Sequence, residues 1–182
     1  WRERGGVLRD HDEIHAARDV SKTSTLRMQT FRSRDFGVLG HADNDRIAYY
    51  RRPERRSLGE TEFDVEGLDA LPRVDIALSY AGSDRAAVDA FVAAGARGIV
   101  SASLAPGFCT PGELEGLQAA ADKGVVVVQS SRAGSGRIVP IRYMRAEPCV
   151  LADNLTPQKA RVLLMLALTR SGDPAEIQRM FD

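Results

Sequence analysis

A chain of 182 residues has room for one domain, or for one domain and part of another. Its 25 Lys and Arg balance 25 Asp and Glu, so no net charge draws it to nucleic acid or an anionic membrane, and its longest apolar run, Val162 to Leu168, is too short to span a bilayer. Two cysteines, Cys109 and Cys149, lack metal-type spacing; they imply neither a disulfide framework nor a zinc site and favour a reducing, cytoplasmic compartment.

The first 50 residues read as irregular chain plus a hairpin. Gly6-Val7-Leu8 and Glu13-Ile14-His15 are short strand-like pieces, and Ile47-Ala48-Tyr49-Tyr50 follows an Asn44-Asp45 turn. No helix accompanies them to make a core, so the segment reads as the tail of a domain that lies mostly upstream. His11 and His15 have the spacing of a zinc-helix motif, but the acid is misplaced and no third ligand follows, which leaves an exposed polar turn. Nor does a Pro-Cys-x-x-Cys partner accompany His11-x-Glu13, as a zinc deaminase would need. Arg18-Asp19-Val20-Ser21-Lys22-Thr23-Ser24-Thr25 places a lysine among hydroxyls, a grouping that can pass protons. Residues 51–72 read as a linker, with Arg51-Arg52-Pro53-Glu54-Arg55-Arg56 as a solvated charge cluster.

From residue 73 to 182 strands and helices alternate. Val74 to Tyr80 predicts a strand, and Asp84 to Ala94 a helix that turns Ala87, Val88, Phe91 and Val92 inward and stops at Gly95. Gly98 to Ala102 is the next strand. Thr110-Pro111-Gly112-Glu113 opens a helix with a capping box and a proline at its first position; Leu114, Leu117 and Ala121 face inward, and Gly124 ends it. Val125 to Val128 has no polar alternation, as a strand covered on both faces requires. Gly134-Ser135-Gly136 lacks a third glycine and a following helix, so it reads as a loop rather than a phosphate cradle. Thr156-Pro157 begins an apolar helix through Leu168, and Asp173-Pro174-Ala175-Glu176 begins a short last one. The pattern is a parallel sheet with right-handed crossovers, an α/β domain of Rossmann or flavodoxin-like character. No Gly-x-Ser-x-Gly elbow supports a serine hydrolase.

Glu13-Ile14-His15-Ala16-Ala17-Arg18-Asp19-Val20-Ser21-Lys22-Thr23 resembles a segment of bacterial L-asparaginases of the asparaginase–glutaminase family. The likeness continues through Thr30-Phe31-Arg32-Ser33, Phe36-Gly37-Val38-Leu39-Gly40, Phe63-Asp64-Val65 and Leu71-Pro72-Arg73-Val74-Asp75-Ile76. It extends over Lys123 to Val128 and Asn154 to Leu164, in order along the whole chain, and corresponds to the latter half of the family's length. The resemblance implies three parts: residues 1–50 as the end of the N-terminal catalytic domain, 51–72 as the inter-domain linker and 73–182 as the C-terminal α/β domain. It implies hydrolysis of the asparagine side-chain amide, and in some members the glutamine one, to the acid and ammonia. A threonine hydroxyl serves as nucleophile and no cofactor is needed. Such a weak nucleophile needs a base, and the tetrahedral oxyanion needs donors.

By the same resemblance Lys22 matches the catalytic lysine, and the parent is expected to be a homo-oligomer, a dimer of dimers, that takes a small-molecule substrate and neither nucleic acid nor membrane. The family's Thr-Gly-Gly-Thr and Thr-Asp-Thr segments do not occur, so the chain by itself is expected to be inactive. Where the family has a glycine-rich loop ending in Asn or Ser, this chain has Ser103-Leu104-Ala105-Pro106-Gly107-Phe108, with an aromatic ring in place of a polar substrate contact. Glu147 is the nearest match to the family's substrate-binding glutamate; the stretch Ile141 to Arg145 beside it is unlike the family. Two alternatives share the fold: a subunit of a tRNA-dependent amidotransferase, and a homologue that binds an amino acid without turning it over.

Overall fold

The computed structural model describes residues 6–53, 61–141 and 145–182, in two compact units, 1–64 and 65–182. Glu54, Arg55 and Arg56 of the arginine cluster and residues 142–144 of the divergent stretch lie outside the described residues.

The first unit is more regular than irregular chain plus a hairpin. β1 (Val7–Asp10) and β2 (Glu13–Ala16) pair antiparallel, β5 (Gly40–Ala42) and β6 (Ile47–Tyr49) do the same, and the four form a sheet in the order β1-β2-β5-β6. β3 (Val20–Lys22) and β4 (Phe31–Ser33) make a separate two-stranded ribbon. The strands are only three or four residues long, too short for their periodicity to stand out from turn-rich sequence. His11 sits in the β1–β2 turn at φ +53°, as the polar-turn reading requires. His15 does not: it lies on β2 with 1% of its surface exposed. Gly40 is required by close approach, because a Cβ there would stand 2.1 Å from the Ala48 carbonyl oxygen across the hairpin.

The second unit follows the predicted alternation: β7 (Val74–Leu78), α1 (Ala86–Ala93), β8 (Gly98–Ser103), α2 (Pro111–Asp122), β9 (Val126–Ser131), β10 (Val150–Leu151), α3 (Pro157–Ala167) and α4 (Pro174–Phe181). Its strands are all parallel, in the order β10-β9-β8-β7. β8 and β9 are buried along their full length, which is why neither shows polar alternation. Ala77, Ile99 and Val127 pack with Val88 of α1 and Leu117 of α2, while α3 runs along β7, β8 and β9. Two glycines set the helix approach. A Cβ on Gly98 would meet the Leu164 side chain at 2.6 Å, and one on Gly116 would meet Arg85 at 2.7 Å. Ala87, expected inward, is exposed because the short α1 turns only Val88 fully into the core.

Candidate functional site

Lys22 ends β3, exposed, opposite Phe31 on β4. The loop that follows is closed at its neck. The Thr23 amide and hydroxyl both donate to the Thr30 carbonyl, at 2.7 and 2.9 Å. Thr30, itself buried, donates its hydroxyl to the Ser24 carbonyl at 2.6 Å and accepts from the Ser24 amide at 2.9 Å. Four hydrogen bonds among three residues therefore fix the backbone beside Lys22, and Leu26 and Met28 project from the loop tip at 91% and 77% exposure. The lysine and hydroxyls grouped by sequence are grouped in space, although the hydroxyls serve the loop's own backbone.

Behind this ribbon stands a contact that sequence reading missed. His15 Nδ1 lies 3.0 Å from Ser33 Oγ, and Nε2 lies 3.4 Å from the Glu13 carboxylate without the alignment of a hydrogen bond. The only signal available was the strand position of His15 between two apolar neighbours, Ile14 and Ala16.

In the second unit, Glu147 is exposed and accepts from Arg145 Nε at 2.9 Å. Its backbone is clamped by Gln118, whose amide accepts from the Glu147 N–H at 2.9 Å and donates to the Glu147 carbonyl at 2.8 Å. The predicted substrate contact is thus an exposed carboxylate on a held backbone.

The loop after β8 is folded on itself. Phe108 N–H donates to the Leu104 carbonyl at 2.7 Å and Leu104 N–H to the Phe108 carbonyl at 2.9 Å, with Gly107 between them at φ +138°, a value that L side chains rarely adopt. Gln129 on β9 holds the loop from beneath: its Nε2 donates to the Gly107 carbonyl at 2.7 Å, while its buried Oε1 has no donor among the described residues. Phe108 is half-buried in this arrangement. Cys109 follows, 3.3 Å from Ser101 Oγ, and burial raises its thiol pKa while hydrogen bonds from Ser101 and Gln129 oppose that.

Sequence reading also missed the role of Glu113. The capping-box spacing predicts that Thr110 caps the Glu113 amide, and it does so at 3.3 Å. The Glu113 carboxylate instead turns inward, accepting from Ser79 Oγ at 2.8 Å and Ser83 Oγ at 3.1 Å. At 2% exposure these two hydroxyls replace the water that the carboxylate loses. Among the described residues no group of His, Cys, Asp and Glu is arranged to hold a metal ion, and no helix is long and apolar enough to cross a membrane.

Residues 73–181 match the model of the glutaminase/asparaginase C-terminal domain, and residues 2–55 match the asparaginase N-terminal model. The chain is 41% identical, over 98% of its length and 52% of the relative's, to the probable periplasmic L-asparaginase of Haemophilus influenzae. It is 39% identical to L-asparaginase 2 of Escherichia coli, over 98% of this chain and 52% of that one. Similarity extends to the glutaminase-asparaginase of Pseudomonas fluorescens, at 34% identity over 99% of this chain and 50% of the relative. The chain spans about half the length of the curated relatives it matches.

Proposed function

The chain belongs to the glutaminase/asparaginase family, and on that premise we propose that it is the C-terminal portion of an amidohydrolase that converts L-asparagine to L-aspartate and ammonia. The observation that carries the reading is Lys22, exposed at the end of β3 and held by the closed neck of Thr23, Ser24 and Thr30 within the segment matched to the asparaginase N-terminal model. In the proposed reaction an upstream threonine oxygen attacks the amide carbon, the C–N bond breaks as the nitrogen takes a proton, and water then releases aspartate. Lys22 moves protons at the nucleophile, and Glu147 binds the substrate's charged end. The same reading divides the chain into a catalytic-domain remnant (1–50), a linker (51–72) and a C-terminal domain (73–182).

Two measurements test it. The purified chain alone releases no ammonia from asparagine; sustained release would overturn the claim that its nucleophile lies upstream. In the full-length parent, Lys22→Met lowers kcat by about 10²- to 10⁴-fold, and a variant of unchanged kcat removes Lys22 from the mechanism.

One observation favours a second reading. Phe108 puts an aromatic ring on the loop where the resemblance calls for a polar substrate contact, which suits a parent that binds an amino acid without turnover. Calorimetry of the parent with asparagine and aspartate, beside the ammonia assay, separates binder from catalyst. Light scattering on the parent tests the proposed dimer of dimers. The two free thiols support a cytoplasmic setting, whereas the Haemophilus relative is named periplasmic; fractionation of expressing cells decides between them.

A further inference from the structure

β2 buries three successive residues, Ile14, His15 and Ala16, so the strand is covered on both faces rather than one. A buried imidazole is costly unless its nitrogens are bonded. Nε2 makes no hydrogen bond but lies 3.4 Å from the Glu13 carboxylate, whose charge favours the proton there; that leaves Nδ1, the one bonded nitrogen, as an acceptor for the Ser33 hydroxyl at 3.0 Å. That bond joins the four-stranded sheet to the ribbon, across 18 residues of sequence.

Ser33 occupies a telling position on the ribbon. The β3–β4 register runs Val20 opposite Ser33, Ser21 opposite Arg32 and Lys22 opposite Phe31. The His15 bond therefore anchors one end of the ladder whose other end carries Lys22, and the Thr23–Thr30 neck closes it beyond. A two-stranded ribbon of three-residue strands is marginal alone, and a one-residue slip would turn Lys22 to the opposite face. We infer that His15 is a positioning residue for Lys22, acting through Ser33; this rests on the proton-handling role of Lys22.

Amide hydrogen exchange on the 182-residue chain reads the anchor directly. Ser33→Ala and His15→Leu should each speed exchange at Val20 to Thr23 by about three- to tenfold, the worth of one hydrogen bond, and leave β7 to β9 unchanged. His15→Asn should restore near-native exchange, because its Oδ1 sits two bonds from Cβ as Nδ1 does and can accept from Ser33. Should His15→Leu not fold, Ser33→Ala decides the matter. Unchanged exchange in Ser33→Ala, or an Asn variant as fast as the Leu variant, would overturn the proposal. In the full-length parent Ser33→Ala should cut kcat by about tenfold and leave KM in place. An inactive Lys22→Met beside a fully active Ser33→Ala would sink the role of His15 alone. A fully active Lys22→Met would sink the Lys22 assignment and the inference with it.

Discussion

Side chains that carry charge or a reactive atom are most informative where burial has changed their chemistry. Cys149 is such a residue: burial pushes its thiol up from 9.0 to about 11, against the opposing field of Arg145. The folded chain therefore holds this proton more tightly than the unfolded chain, so the stabilisation is complete below pH 9 and is lost as pH rises from 9 towards 11. The consequence for reactivity is direct. At pH 8 the thiolate fraction of Cys149 is about a hundredfold below that of an ordinary cysteine, and alkylation by iodoacetamide, followed by peptide mapping, should show that slow rate with an inflection near 11. An inflection at the ordinary value would contradict the burial argument. Glu113 shows what sequence conceals at this scale. Its position three residues after Thr110 is a sound local signal, but the side chain is claimed by Ser79 and Ser83, 34 and 30 residues away. Local spacing cannot register such partners. His15 and Ser33, 18 residues apart on different sheets, were hidden for the same reason, whereas Lys22 was legible because its hydroxyl neighbours are neighbours in sequence too.

Among the elements, β7 to β9 and α1 to α4 were legible because each carries its own signals: a β-branched run, an inward face, a proline at the helix start, a glycine after its end. β10 was not, being two residues long and placed by pairing with β9 rather than by any pattern of its own. It is also an edge strand, with one side of its backbone open to other partners. Gln178 of α4 closes that side: its Oε1 accepts from the Leu151 amide at 2.7 Å and its Nε2 donates to the Leu151 carbonyl at 3.3 Å. Arg161 of α3 bonds the Val74 carbonyl of the other edge strand at 2.7 Å. Each helix thus finishes the hydrogen bonding of a strand that the sheet leaves incomplete. Gln178→Leu keeps a similar side-chain size and removes both bonds together with an exposed one to Asp182, so it should cost about 1–2 kcal/mol, read as a lower urea midpoint by circular dichroism. A midpoint equal to that of the parent chain would mean that water serves the Leu151 backbone as well as Gln178 does.

Across the whole chain the two units differ in how much apolar surface they remove from water. Among the described residues, the buried apolar side chains of 6–53 are Ile14, Ala16, Val20, Leu39 and Ala42, two of them alanines. The second unit buries Val74, Val88, Ile99, Val100, Leu117, Val127, Val128, Leu164, Ile177 and Phe181, along with many smaller residues. Since burial contributes about 25 cal/mol per Å² and every ordered residue costs conformational entropy, the second unit has far more to set against that cost. The first unit also leaves Leu26, Met28, Phe36, Ile47 and Tyr50 exposed. Opening by local unfolding should therefore be easier before residue 65 than after it, and proteolysis under native conditions follows the population of opened states. Brief trypsin treatment should cut first at arginines of the first unit, such as Arg27, Arg32 or Arg34. The surviving fragment should retain residues 73–181, the span of the C-terminal family match, as mass spectrometry would show. Early cuts inside β7 to β9, with the first unit intact, would place the stable core on the wrong side of residue 65.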